Sequence, residues 1–245
     1  MCGRYALYAE TEELIDAFSV VSDAGTPATE PRFNIAPTQE VPVVLRQPGA
    51  DDPGARDDGA RRLRMVRWGL VPPQWDDPNR KGAPLINARA ESIATQPLFR
   101  RPFARSRCIV PASGFFEWRR AGGVRQPYFM RHPAGATVAF AAIHARWRRD
   151  GSAPISSCAI ITVAANAQLK PLHDRMPAIL PPAAWDLWLD PGAPPEAVRE
   201  LLRPLQAELA LYPVTPRMNH YAYEAADAVT PTTIEAQPGQ QSLPW

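Results

Sequence analysis

The apolar residues of the chain occur mainly in short runs that are rich in β-branched and aromatic side chains. Runs of about three to ten such residues are typical of β-strands. They predict strands over residues 41–45, 63–68, 108–110, 115–118, 128–131, 137–143 and 155–163. Several short strands of this kind favour a sheet that curls into a barrel-like core.

Helical signals are confined to three segments. Residues 12–18 follow Thr11 as the predicted N-cap and carry acidic residues in the first turn, where the helix dipole favours them. A second helix is predicted over about 183–189. A third, over 195–209, carries leucines on one face, although Pro204 should kink or split it.

The length and composition fit one folded unit. The chain has 245 residues, 45% of them apolar, which is enough for one substantial core. We predict an α+β fold with a single domain over residues 1–235, in which a curled, barrel-like mixed or antiparallel sheet is flanked by a few short helices. Residues 47–60, rich in Gly, Pro and Asp, predict a mobile loop, and residues 236–245 predict a flexible tail.

Features that the sequence lacks limit the expected location of the protein and its expected chemistry. It has neither a run of about eighteen apolar residues nor the apolar core of a signal peptide, which predicts a cytoplasmic protein without membrane contacts. No apolar stripe indicates a partner surface, so we expect a monomer. Cys2, Cys108 and Cys158 are too few for a disulfide framework, and no Cys/His pair has metal-ligand spacing. No metal and no cofactor are therefore predicted.

The basic residues are almost all arginine. Only Lys81 and Lys170 among the 27 are lysine, so 25 are arginine, although the net charge is only +2. Arginine suits phosphate because its planar group donates two parallel hydrogen bonds. A codon bias toward arginine explains the same composition equally well, so composition alone leaves a nucleic-acid partner open.

Cys2 has chemical options that an internal cysteine lacks. Methionine before so small a residue is normally removed, which would leave a free α-amine beside the thiol. An amine with a pKa of about 7.7 to 8.0 can add to an aldehyde as a Schiff base. The thiol, with a pKa of about 8.5, can then attack the imine carbon and close a thiazolidine ring. A Met-Cys start by itself is weak support for such a role.

Six segments of the chain together resemble one known family. They are Met1-Cys2-Gly3-Arg4, residues 33–38 (FNIAPT), 67–75 (RWGLVPPQW), 85–92 (LINARAES), 108–118 (CIVPASGFFEW) and 173–177 (HDRMP). Over roughly residues 1–218 the chain resembles the SOS response-associated peptidase family, whose members are abasic-site crosslinking proteins. The resemblance implies a DNA-damage protein that senses abasic sites in single-stranded DNA, including at junctions with duplex. It also implies a covalent thiazolidine bond from Cys2 after autoproteolytic loss of Met1.

The sequence offers two candidates for proton transfer. Glu117 lies between Phe116 and Trp118 on a predicted strand, so its side chain should face away from those aromatics. An apolar wall raises a carboxyl pKa, which suits acid–base chemistry, although an ordinary solvent-facing glutamate fits the pattern as well. The resemblance assigns Glu117 to sugar-ring opening and to activation of the Cys2 amine. It assigns His173, whose pKa is ordinarily near neutrality, to a proton shuttle.

Further residues are expected to orient the substrate and hold DNA. Asn87 can both donate and accept hydrogen bonds, and if it shares a strand with Arg89 the two face the same side. Asn87 would then meet the sugar while Arg89 holds a flanking phosphate. The resemblance adds Arg4, Arg175 and Thr162 as phosphate contacts.

The tryptophans are expected to divide between core and surface. Trp68 is expected in the core, and Trp75 is expected to stack on a base. The family often has two adjacent tryptophans where this chain has Gln74 and Trp75. Ser113 and Phe116 also depart from the usual acidic and Tyr or Trp residues.

Two alternative functions stay open at this point. Cys2 and His173 could form a cysteine-type peptidase in which Cys2 is the amino-terminal nucleophile. Arginines and tryptophans could also bind single-stranded DNA without any covalent chemistry, in which case affinity would not depend on the lesion.

Overall fold

The computed structural model describes residues 2–46, 59–80, 82–121 and 124–233. The predicted tail over 236–245 lies outside these residues, as does all of the predicted loop over 47–60 except its last two positions. No helix in the described part is long and apolar enough to cross a membrane.

The described residues form short helices and a larger number of strands. The strands are β1 Tyr5–Leu7, β2 Arg32–Ile35, β3 Glu40–Leu45, β4 Arg62–Trp68, β5 Asn87–Arg89, β6 Arg107–Ala112, β7 Gly114–Ala121, β8 Val124–Arg131, β9 Val138–Trp147, β10 Ile155–Ala164, β11 Arg175–Pro177, β12 Ile179–Leu180 and β13 Ala210–Pro213. The α-helices are α1 Thr11–Phe18, α2 Arg100–Arg105, α3 Trp185–Leu189 and α4 Pro195–Glu200, and 3-10 turns cover Pro182–Ala184, Pro216–Asn219 and Ala226–Val229.

The strands are arranged in two sheets. The smaller sheet has the order β13-β8-β7-β1-β2 and is antiparallel throughout. The larger sheet has the order β11-β10-β4-β3-β6-β9-β12, and β10 pairs additionally with β9, so the sheet curls strongly. The pairing of β10 with β4 and β5 is parallel, and the other pairings are antiparallel. The predicted α+β fold with a curled mixed sheet and a few short helices is confirmed.

The longest strands form the centre of the hydrophobic core. β9 and β10 are buried along most of their length on both faces, which explains why they read in the sequence as almost continuous apolar runs. Trp68 is fully buried and donates its indole N–H to the carbonyl of Ile86 at 3.0 Å. The expected core position of Trp68 is therefore confirmed.

Two of the helix predictions need correction. The residue before α1 is Glu10, whose backbone N–H donates to the Glu13 carboxylate at 2.9 Å, so Thr11 is the first helical residue and not the cap. The third helix ends at Glu200 instead of reaching residue 209. Pro204, placed soon after this end, lacks the N–H that a continuing helix would require.

Candidate active site

Cys2 lies beside the central strands of the smaller sheet. It precedes β1, which pairs with β7, and the carbonyl of Arg4 accepts a hydrogen bond from the N–H of Phe116 at 3.1 Å. The Cys2 side chain is fully buried, with Sγ 3.9 Å from the Arg4 carbonyl oxygen. Burial, reinforced by the charge of Glu117, raises the pKa of the thiol far above its usual range. The thiol is therefore protonated and needs a neighbouring base to react.

Asn87 is held against Cys2 by the larger sheet. It opens β5, which pairs in parallel with β10, and its side-chain N–H donates to the Cys2 carbonyl at 3.0 Å. The side-chain amide oxygen of Asn87, Oδ1, is buried without a hydrogen-bond partner among the described residues, so it can accept a hydrogen bond. Arg89 follows two residues later on the same strand, as predicted, and is exposed. The two side chains therefore share one face of β5.

Glu117 provides a buried carboxyl group next to Cys2. It is only 3% exposed on β7, whereas its neighbour Phe116 packs on Phe129 in a separate cluster, so the predicted opposition of the two faces is observed. Burial raises the pKa of Glu117 to about 7, against the lowering effect of the positive charge at the amino terminus. Near neutral pH this group can therefore both donate and accept a proton.

His173 lies in the connection between β10 and β11. Its Nδ1 accepts the backbone N–H of Arg175 at 2.9 Å and also lies 2.8 Å from a carboxylate oxygen of Asp174. Only a ring with a lone pair on Nδ1 can accept the backbone bond, and burial lowers the pKa of His173, so the neutral ring with its proton on Nε2 is favoured. The contact with Asp174 instead requires a proton on Nδ1, so the two contacts belong to different protonation states of the ring.

The four predicted reactive residues converge on the start of the chain. Asn87 contacts Cys2 directly, and Glu117 is close enough to influence the Cys2 pKa. The charge of the amino terminus lowers the pKa of both Glu117 and His173. The site thus combines a thiol with two proton carriers: Glu117, whose pKa burial raises to about 7, and His173, whose pKa burial lowers.

The predicted phosphate contacts differ in how accessible they are. Arg175 is tied to Glu91 by two hydrogen bonds of 2.7 and 2.9 Å, and its side chain is 11% exposed. Thr162 is fully buried, and its carbonyl accepts from Arg175 at 2.6 Å. In this conformation Thr162 cannot contact DNA through its side chain. It supports Arg175 instead.

Arg4 and Trp75 both remain partly exposed. Arg4 donates to the Asn34 side chain at 2.8 Å, and burial together with Arg125 lowers its pKa. Trp75 lines a cleft of about 270 Å³ with Arg67 and Leu85, and the guanidinium of Arg80 lies 5.7 Å from its ring centroid.

Asn34 was missed as a site residue. It is fully buried, and besides accepting from Arg4 it donates to the carbonyls of Met218, His220 and Tyr223 at 2.9 to 3.2 Å. Asn34 lies in the FNIAPT segment, which was the available signal. In the described residues, no group of His, Cys, Asp and Glu is placed to hold a metal ion.

The fold brings Cys2, Asn87 and Glu117 together near the start of the chain, and the same sequence segments match a known family. The family model of the SOS response associated peptidase (SRAP) matches residues 1–221, and the chain belongs to this family. It is 35% identical to the abasic site processing protein YoaM of Bacillus subtilis over 222 residues, which cover 89% of this chain and 93% of YoaM.

Other relatives and solved structures agree with this assignment. The chain is 32% identical to the abasic site processing protein YedK of Escherichia coli, with 77% of this chain and 79% of YedK covered. A crystal structure from Bacteroides thetaiotaomicron has the same fold, with a TM-score of 0.80, 22% identity and coverage of 95% of this chain and 100% of that one. A phage-related protein from Bordetella bronchiseptica gives a TM-score of 0.65 at 28% identity, covering 87% of this chain and 94% of that one.

Proposed function

We propose that this chain is a DNA-damage protein that captures abasic sites in single-stranded DNA through a covalent bond from Cys2. The observation that carries the proposal is the convergence of Asn87, Glu117 and His173 on the start of the chain at Cys2. The printed names of the relatives, abasic site processing proteins, support the same substrate.

The proposed reaction needs only the groups present. One oxygen of Glu117 gives a proton to the ring oxygen and the other takes the proton of the anomeric hydroxyl, so the deoxyribose opens to an aldehyde and Glu117 ends in the form in which it began. After Met1 is removed, the neutral Cys2 amine adds to that carbon and water leaves, forming a Schiff base. The thiol then adds across the C=N bond. Sulfur bonds to carbon and the thiol proton passes to nitrogen, which closes the thiazolidine.

His173 and Asn87 have supporting tasks in this scheme. Neutral His173 can accept the proton released from the amine and return it to the departing water. Asn87 fixes the backbone of Cys2 through its N–H and offers its carbonyl oxygen to the amine. Neither step consumes an oxidant or a metal.

The DNA strand would lie across the exposed arginines. Arg89 is exposed and would bind a phosphate directly, whereas Arg4 is partly buried and bonded to Asn34. Arg175 would bind a phosphate only if its ion pair with Glu91 opened. Trp75 offers a ring face to a base at a junction between single-stranded and duplex DNA. We further propose that the protein acts as a monomer in the cytoplasm, at the nucleoid when bound to DNA.

The deciding experiment is a denaturing gel of the protein with a uracil-containing single strand, before and after the uracil is removed. A band that survives heat and detergent only after uracil removal is expected. Cys2→Ala should lose this band, whereas Cys108→Ala should keep it. Borohydride should still trap Cys2→Ala, because its amine can form the Schiff base. A heat-stable band from Cys2→Ala without borohydride would overturn the proposal.

The peptidase alternative is less well supported. The relatives' printed names point to abasic sites as the substrate, and the raised pKa of the buried Cys2 thiol makes a peptidase need the same neighbouring base as the capture mechanism. A peptidase would cleave peptides with repeated turnover, whereas the capture mechanism predicts at most loss of Met1. Mass spectrometry of the crosslinking protein should find Met1 absent, and its retention would contradict both mechanisms. A purely non-covalent binder would give no heat-stable band with any strand.

A further inference from the structure

An aromatic and basic surface lies next to Arg4, outside the reactive cluster. We call it the 217–223 surface; it consists of Trp118, Arg125, Arg217, His220, Tyr221 and Tyr223. Tyr221 is 65% exposed, which is unusual for a large ring, and it stacks on His220 with centroids 5.2 Å apart and planes inclined by 20°. A free ring face of this kind can receive a nucleobase.

Two arginines accompany these rings. The guanidinium of Arg125 lies 5.3 Å from the Trp118 ring centroid, and that of Arg217 lies 4.5 Å from the ring of Tyr223. The side chain of Arg217 is 70% exposed. Stacking on a ring leaves the edge of a guanidinium, with its N–H donors, available to a phosphate.

Two acidic side chains near this surface, Asp227 and Glu224, already accept hydrogen bonds from the protein. Asp227 accepts the hydroxyl of Tyr223 at 2.5 Å and lies 3.9 Å from Arg217, at the limit of an ion pair. The Glu224 carboxylate accepts the backbone N–H groups of Phe33 and Asn34. These acids hold the loop in place, and the exposed rings and arginines remain accessible beside them.

The loop that carries the surface is fastened to the reactive site. Asn34 joins the Arg4 side chain to the carbonyls of Met218 and His220, and Arg4 also donates to Met218 at 3.3 Å. On the other flank, the indole N–H of Trp118 donates to Asn219 at 2.6 Å. Because Arg4 is two residues from Cys2 and contacts this loop at the Met218 carbonyl, the surface adjoins the start of the chain.

We propose that the 217–223 surface is a second binding surface for single-stranded DNA, which stacks a base beside the lesion on Tyr221 and binds flanking phosphates through Arg125 and Arg217. The proposal rests on the proposed function for its choice of ligand. Alternating aromatic faces and cations are the chemistry that binds a single strand without regard to its sequence. The continuity with Arg4 makes this surface an extension of the same strand path.

The test is binding of fluorescent, intact oligothymidylates of increasing length, measured by anisotropy, so that no crosslinking is required. Tyr221→Ala should weaken binding of the longer strands by about tenfold, and Tyr221→Phe should restore it because the ring is kept. Arg217→Ala should reduce the slope of log affinity against log salt by about 0.7, the value for one phosphate contact. Val21→Ala and Arg203→Ala are the matched controls, since both replace exposed side chains elsewhere.

The outcomes separate this surface from the covalent chemistry. Unchanged affinity and salt slope in both Tyr221→Ala and Arg217→Ala would overturn the proposal. If the wild type forms no heat-stable adduct but Tyr221→Ala still weakens binding of intact strands, the second binding surface is supported and the proposed function fails. A short abasic oligonucleotide that does not extend beyond the site should crosslink equally well with the wild type and Tyr221→Ala.

Discussion

The burial of Glu117 predicts a specific dependence of stability on pH. Glu117 is 3% exposed, and burial raises the pKa of its carboxyl group from the ordinary 4.5 to about 7. Between these two values the folded protein keeps a proton that the unfolded chain has released. The free energy of unfolding therefore falls as the pH rises through this window. Glu117→Gln keeps the shape of the side chain but cannot ionise, so it should not show this loss.

The size of the effect follows from the shift. A change from 4.5 to about 7 at 1.36 kcal/mol per pKa unit gives about 3 kcal/mol in total. Relative to the wild type, Glu117→Gln should thus gain up to about 3 kcal/mol of stability between pH 4 and pH 8. The same variant should crosslink abasic DNA about 10² to 10⁴ times more slowly, because the proton carrier is lost.

The assay is urea unfolding of the wild type and Glu117→Gln at several pH values between 4 and 8. The two proteins are fitted with one common slope of unfolding free energy against urea concentration. With a slope of about 1 to 3 kcal/mol per molar, the midpoints should separate by about 1 to 3 M urea as the pH rises. Glu30→Gln removes an exposed carboxylate and is the matched control. Parallel pH profiles for the wild type and Glu117→Gln would refute the argument that Glu117 is held protonated by burial.

Three further predictions follow from packing and from the site. Gly114→Ala should destabilise the fold by about 1 to 3 kcal/mol in thermal or urea unfolding, because the added carbon would collide with the Phe129 ring and the Met130 carbonyl. Arg107→Ala should lower the free energy of unfolding by about 3 kcal/mol or more, because the buried guanidinium donates to four backbone carbonyls. An unchanged midpoint in urea unfolding would contradict this prediction. His173→Ala should slow adduct formation about 10²-fold in a timed gel with no change in affinity for intact strands.

The strand predictions succeeded where burial is extensive. Each of the seven predicted strands overlaps an observed one, because strands inside the core must be apolar along their length. β1, β5 and β11 have three residues each, too few to show a period, and they exist because a longer neighbour supplies their hydrogen bonds. The early end of α4 was predictable only in part, since Pro204 indicated a break but not its position.

The residue types of the reactive site could be read from the sequence, but their arrangement could not. Cys2, Asn87, Glu117 and His173 were all identified from motifs whose chemistry is local: an amine beside a thiol, an amide, a carboxyl and an imidazole. Their meeting around the amino terminus depends on the pairing of β1 with β7 and of β5 with β10. Thr162 shows the limit of the sequence, because its burial beneath Arg175 is invisible until the strands are paired.

The sequence by itself determined the family and the α+β class and supplied the candidate reactive side chains, because these depend on local pattern and on residue chemistry. Tertiary structure alone decided the raised pKa of Glu117 and the lowered pKa of His173, both of which are caused chiefly by burial. It also decided the 217–223 surface, where Trp118 and Arg125 meet a loop about a hundred residues later in the chain. Contacts between residues so far apart arise only when the sheet forms, and no local pattern records them.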